Sequence, residues 1–169
     1  MDIVTLEGKP VSRLGLAGHP NTEESFVMTA FRNGINFFFF YDPSFINLLN
    51  GLKSLMVTHR EQLIIATGTE SRDLGEIREQ LQQIRQFLNT DVVDVFLLQY
   101  VSPDDTLEDV QAALEQLHIW KSQGLIRYVG ASVHNRPLAL HLIKSGLCEV
   151  LMNSYIINLL NVTLFSAPI

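Results

Sequence analysis

Residues 34–45 read Gly-Ile-Asn-Phe-Phe-Phe-Phe-Tyr-Asp-Pro-Ser-Phe. Four rings are followed at once by a phenol (Tyr41), a carboxylate (Asp42) and a hydroxyl (Ser44). A phenol at a strand end can protonate a developing alkoxide when a neighbouring cation lowers its pKa. Lys53, the lysine that follows, falls inside a helical pattern where solvent is its expected environment. The rings can fill a buried strand end, or they can form a platform that stacks on a flat ligand. Tyr41 stands two residues after Phe39, so strand alternation would put both on one face. His134 follows Ser132-Val133 at the end of another apolar run, within reach of a ligand or in solvent. His19 and His59 read as loop residues and His118 as helical, and no pair has metal-ligand spacing such as H-E-x-x-H. Cys148 is the only cysteine, which excludes a disulfide framework within the chain and fits a small core residue.

The elements that carry these groups alternate between two periods. Met1 to Leu14 reads as a short hairpin turning at Glu7-Gly8-Lys9-Pro10. Strands are expected at 14–17, 35–40, 63–67, 92–98, 126–132 and 149–152. Helices are expected at 22–32, 45–59, 74–88, 106–123 and 136–144. Asn33-Gly34, Gly124 and Gly146 are stop signals. Asp73-Leu74-Gly75-Glu76 has the form of a capping box, and Leu74, Ile77, Leu81, Ile84 and Leu88 then make one apolar stripe. Val92 to Leu98 is almost wholly apolar, which suits a strand buried on both faces.

Alternating strands and helices imply repeated βαβ units and a parallel sheet. A doubly wound open sheet and a (β/α)8 barrel both fit. Gly15-Leu16-Ala17-Gly18-His19-Pro20 is not the G-x-G-x-x-G fingerprint, and there is no Walker A sequence. A leading hairpin suits a barrel with a plugged bottom. The chain of 169 residues fits one domain, and 47% apolar with 18% charged residues fits a folded one. A net charge of -6 argues against a nucleic-acid partner. No apolar run is long enough to cross a membrane, and the N-terminus has no signal-peptide pattern, so a cytoplasmic location is expected.

V-S-R-L-G-L-A-G, G-I-N-F-F, R-E-Q-L-I-I-A-T, D-V-V-D-V-F-L-L-Q and G-L-I-R-Y-V-G-A-S follow one another in this order. The series resembles the aldo-keto reductases along residues 1–153. The resemblance implies an α/β fold of (β/α)8 type, with NADPH lying across the C-terminal strand ends and a small carbonyl compound as substrate. It implies hydride transfer to the carbonyl, with a tyrosine as acid, a lysine that lowers its pKa, an aspartate paired to the lysine, and an orienting histidine. At the matching positions this chain has Ser44 for the tyrosine, Gly68 for the lysine, Phe39 for the aspartate and Gln99 for the histidine. Phe39 and Phe40 are expected to fill the vacated space. Loss of the acid alone removes a factor of about 10²–10⁴, so no catalytic residue is assigned. Tyr41 is the candidate replacement. The resemblance also implies a serine–asparagine pair and a glutamine around the nicotinamide carboxamide. Ser132 matches the serine and is the one cofactor-binding residue assigned, whereas Val133 and Met152 replace the other two.

Six strands are counted where such a barrel has eight and about 250 residues. The expected architecture is therefore an incomplete barrel of about six parallel strands with an N-terminal hairpin. Residues 154–169 form an uncharged, apolar tail outside the resemblance. Open barrel edges invite self-association, and the tail can cover an edge or make a dimer contact. A truncated copy of a longer reductase-like protein fits these features. So does a non-catalytic binding or interaction module that uses the open barrel and its aromatic strand end.

Overall fold

The computed structural model describes residues 3–153. In chain order these form β1 (Gly15–Ala17), α1 (Glu24–Arg32), β2 (Phe37–Phe39), α2 (Ile46–His59), β3 (Ile64–Thr69), α3 (Leu74–Leu88), β4 (Val93–Val101), α4 (Leu107–Ser122), β5 (Ile126–Val133), α5 (Arg136–Ser145) and β6 (Val150–Met152). The strands are all parallel and lie in sequence order from β1 to β6. A doubly wound sheet reverses its strand order at a switch point. This sheet never reverses, so it curls as a half-barrel with its helices outside. The expected partial barrel is what the chain forms.

Strand alternation sorts the core into two parts. Phe38, Ile65, Phe96, Leu98, Val129 and Ala131 face the helices and join their apolar stripes. Ile64, Ala66, Val95, Leu97 and Tyr128 face the barrel interior, with Phe37, Phe39, Val150 and Met152 packed against them. Burial on both faces makes β4 apolar almost throughout, as its sequence suggests. The stripe of α3 is buried at Ile77, Leu81, Ile84 and Leu88, but Leu74 is exposed.

The caps differ in detail from their sequence signals. Asp73 accepts from the Glu76 amide, as a capping box requires. Glu76 does not return to the Asp73 amide. It accepts from Ser71 Oγ at 2.6 Å, and that same oxygen accepts from the Asp73 amide. Asn135 caps α5 through the Leu138 amide, whereas Thr106 makes no side-chain cap on α4.

The N-terminal end of the barrel is closed. The expected hairpin forms one antiparallel bridge, Val4 to Pro10. Ile3 and Val11 pack on the interior cluster, and the Val4 amide donates to the Tyr128 hydroxyl. Beside it the fully buried Asp94 forms an ion pair with Arg60 at 2.9 Å and accepts from Arg127 at 2.7 Å and the Ile65 amide at 2.9 Å. Arg127 also donates to the Thr5 carbonyl. One carboxylate thus ties β3, β4, β5 and the hairpin together. The opposite end, at the strand C-termini, is left to carry ligand chemistry.

Candidate functional site

The interior of the half-barrel is built in layers set by the strand register. Above a bottom layer of Gly15, Phe37 and Ile64, the next runs Ala17, Phe39, Ala66, Val95 and Tyr128 across five strands. Above it lie Gly68, Leu97, Gly130 and Val150. Two glycines here are a matter of space. A Cβ at Gly68 would stand 2.1 Å from the Leu97 carbonyl oxygen, and one at Gly130 would stand 2.3 Å from that of Val150. At the top Ser132 is in register with Met152, and Gln99 stands where the β4–β5 register shifts between Leu98 and Val101. Gln99 leans over Gly68, since its Cγ is 3.0 Å from where a Gly68 Cβ would be.

The top layer holds an anomaly. Gln99 is 1% exposed, and neither its amide nitrogen nor its amide oxygen has a hydrogen-bond partner among the described residues. Buried polar groups are satisfied in the great majority of cases, and an orphan costs about 1–3 kcal/mol. Its neighbour Tyr100 has φ of 51°, in the left-handed region, where the β4–β5 register shifts between Leu98 and Val101. The Tyr100 amide donates to Ser132 Oγ at 2.8 Å, and the Tyr100 ring lies 5.7 Å from that of His134. His134 is therefore a rim residue stacked on Tyr100. Arg72 holds the turn from outside by donating to the Gln99 carbonyl and to both oxygens of Asp105. Burial opposes ionisation of Asp105, but the Arg72 hydrogen bond, the Ser102 amide and the Arg72 charge outweigh it and lower its pKa.

Of the four substituted positions, Gly68 and Gln99 meet, whereas Phe39 and Ser44 stand apart from them. Phe39 faces the interior, two layers below Gln99, while Ser44 is exposed in the turn before α2. Gly68 cannot carry a side chain without moving a strand. Phe40 does not share the vacated space with Phe39, because it is fully buried in the core on the helix side. Tyr41 does not share the face of Phe39 either. The strand ends at Phe39, and the Tyr41 ring packs edge-on against Phe45 at 4.9 Å, on the helix side. The groove at Tyr41 is lined by Asp42, Glu70 and Glu76 and by no lysine or arginine. Lys53 is exposed on α2, as expected, with its ammonium 5.2 Å from the Phe87 ring centroid.

The rings that do face inward are Phe37 and Phe39. With Val11, Gly15 and Ala17 they line an open groove of about 270 Å³. A larger groove of about 640 Å³ runs along α3 to Trp120 and Leu125. It lies outside the barrel against the helix layer, so its size does not make it the site. No group of histidine, cysteine and carboxylate side chains among the described residues could hold a metal. None of the described helices is long and apolar enough to cross a membrane. Sequence reasoning passed over Gly130, Tyr100 and Arg72. Only the even spacing of Gly130 from Tyr128 and Ser132 hinted at a shared inward face.

The family model of the aldo/keto reductases matches residues 14–164. Among solved structures, an aldo-keto reductase from Bacillus halodurans in its holo form superposes with TM-score 0.66 at 22% identity, covering 86% of this chain and 54% of that one. An aldo-keto reductase enzyme from a Medee basin deep-sea metagenome library gives TM-score 0.72 at 13% identity, covering 88% and 57%. A Pseudomonas aeruginosa protein described as an aldo-keto reductase gives 0.73 at 20%, covering 92% and 67%. The chain thus spans little more than half the length of the first two. No curated protein sequence matches at a significant level.

Proposed function

The chain belongs to the aldo/keto reductase family, and on that premise we propose that it is a reductase-type barrel segment that has lost the family's carbonyl reduction and keeps a ligand-binding mouth. The observation that carries this reading is the closure at Gly68. The position that matches the family's lysine has the Leu97 carbonyl 2.1 Å from any Cβ, so no cation can be presented there. Phe39 puts a ring where the carboxylate partner would be, and Ser44 is out of the site. An aliphatic hydroxyl without an adjacent cation is a poor general acid at neutral pH.

Members of the family work with a nicotinamide dinucleotide, NADPH being the form expected here. The residues present do not fit its carboxamide well. Ser132 supports contact, though its oxygen already accepts from the Tyr100 amide. Val133 is buried in the helix-side core and Met152 has no amide to offer. No step is assigned to the cofactor on this set. The cytoplasmic setting, a small carbonyl compound as ligand and self-association through open edges belong to the same reading as proposals. The non-catalytic reading is favoured by the unpaired Gln99 and by the inward rings of Phe37 and Phe39.

The test is a thermal melt with and without saturating NADPH, joined to an assay of NADPH oxidation with a panel of small aldehydes and ketones. The expected outcome is a cooperative melt that NADPH does not move, and no oxidation above background. A ligand at 100 times its dissociation constant would add about 2.7 kcal/mol of apparent stability. Turnover that disappears in Tyr41→Phe would overturn the reading and make Tyr41 the acid.

A further inference from the structure

We infer that the groove of about 640 Å³ between the end of α3 and Trp120 is a binding site for an organic phosphate monoester with a flat apolar body. The groove lies on the helix side, against the segments that enter β4 and β5, and so at the opposite end of the strands from Gln99 and Ser132. Arg78, Gln82, Arg85 and Asn89 recur along α3 at helical spacing, so they share one face beside the buried stripe of Ile77, Leu81, Ile84 and Leu88. All four line the groove. Arg78 is exposed and makes neither an ion pair nor a hydrogen bond among the described residues. Arg85 is half-buried and donates through Nε to the Asp91 carbonyl, which leaves both terminal nitrogens of its guanidinium unused. Trp120 forms the facing wall and is 4% exposed. Its indole N–H has no hydrogen-bond partner among the described residues, yet it is not one of the unpaired atoms sealed in the interior. The N–H therefore borders solvent, and the groove is where Trp120 meets solvent.

The chemistry of these groups selects the ligand. Two guanidiniums, an indole N–H and the side-chain amides of Gln82 and Asn89 are mostly donors. They call for a ligand rich in acceptor oxygens. Planar guanidinium forks suit phosphate and carboxylate oxygens. A single carboxylate brings one charge for two cations, whereas a phosphate monoester brings nearly two charges and three terminal oxygens. The protein carries a net charge of -6, so two guanidiniums against one lining carboxylate, that of Asp91, reverse the sign locally. The end of α3 does not undo this, because the carbonyls of Arg85 and Gln86 are taken by the amides of Thr90 and Asn89. Leu81, Leu125 and the Trp120 ring make the rest of the lining apolar, which suits a flat remainder on the ester.

Trp120 is the only tryptophan in the chain, so its indole N–H gives a single signal that needs no assignment. Phenyl phosphate, inorganic phosphate and benzyl alcohol are titrated into the full ¹⁵N-labelled chain at constant ionic strength. The expected result is a saturable shift of the indole signal with phenyl phosphate, weaker binding of inorganic phosphate and no saturable shift with benzyl alcohol. Arg78→Gln should weaken phenyl phosphate about tenfold, the loss of one charge-assisted contact, and Asp91→Asn should tighten it. Arg136→Gln removes the same charge from α5, outside the groove, and should leave binding as it was. Arg78 holds no other group in place, so its variant keeps the fold, which the remainder of the spectrum verifies. An indole signal that phenyl phosphate does not move overturns the inference. So does equal weakening by Arg78→Gln and Arg136→Gln, or binding of benzyl alcohol as tight as that of phenyl phosphate. Inorganic phosphate that binds as tightly as phenyl phosphate overturns the assignment of the flat body. None of these outcomes bears on the loss of carbonyl reduction, which is read at the other end of the barrel.

Discussion

Replacing Gly68 tests the central claim about the site. A Cβ there falls 2.1 Å from the Leu97 oxygen and 2.8 Å from its carbonyl carbon, against the 3.4 Å at which ordinary contact begins. The obstacle is backbone, so no rotamer change relieves it. Relief requires β3 to move away from β4, and these strands pair in register from Ala66–Val95 to Thr69–Leu98. Overpacking of a tight core costs about 1–3 kcal/mol even where side chains can yield. Gly68→Ala should therefore lose about 2 kcal/mol or more. With a urea m-value of about 2 kcal/mol/M, the midpoint falls by about 1 M. Gly68→Lys should be worse, because it adds an ammonium next to an interior that offers no carboxylate. Fluorescence of Trp120, buried on α4, follows the unfolding. A Gly68→Ala midpoint equal to or above that of the parent chain would refute the reasoning. The strand would then have room for a side chain, and reinstating the lysine would be open.

Three further outcomes follow from other parts of the molecule. Asp94→Asn leaves Arg60 and Arg127 without their shared charge; breaking a buried ion pair from one side costs about 3–5 kcal/mol, read as a lower urea midpoint. Gln99→Leu should raise the urea midpoint, since it removes an orphaned amide worth about 1–3 kcal/mol; a lower midpoint would mean that the amide has a stabilising partner. Asp105 has a pKa below its ordinary 3.8, so its pair with Arg72 stabilises the fold fully above that value and loses its effect as pH falls through the lowered one. The stability difference between the parent chain and Asp105→Asn should be constant in neutral solution and shrink below pH 3.8; a difference that grows in acid would contradict the sign.

Much of the fold was legible in the residues, because local signals and periodicity act over a few positions. Asn33-Gly34, Asp73, Gly124 and Gly146 punctuate the helices where expected, and the apolar runs mark all six strands. The alternation implied a parallel sheet. Sequence spacing alone left barrel and open sheet undecided, because strand order is a non-local property. The positions Phe39, Ser44, Gly68 and Gln99 could be named from the chain, and so could Ser132.

What those residues do was decided by neighbours distant in sequence. The run of four rings looks uniform, yet the pleat sends Phe37 and Phe39 inward and Phe38 and Phe40 to the helices. Tyr41 lost its place beside Phe39 because the strand ended one residue too soon. Gly68 reads as an absent lysine, but the Leu97 carbonyl 29 residues later is what forbids a side chain there. Gln99 reads as a substituted histidine, and only its burial without a partner makes it a candidate ligand group. Composition and spacing fix which groups the chain owns. Register and burial, which depend on strands pairing across the sheet, fix which of them face one another and which stay unpaired.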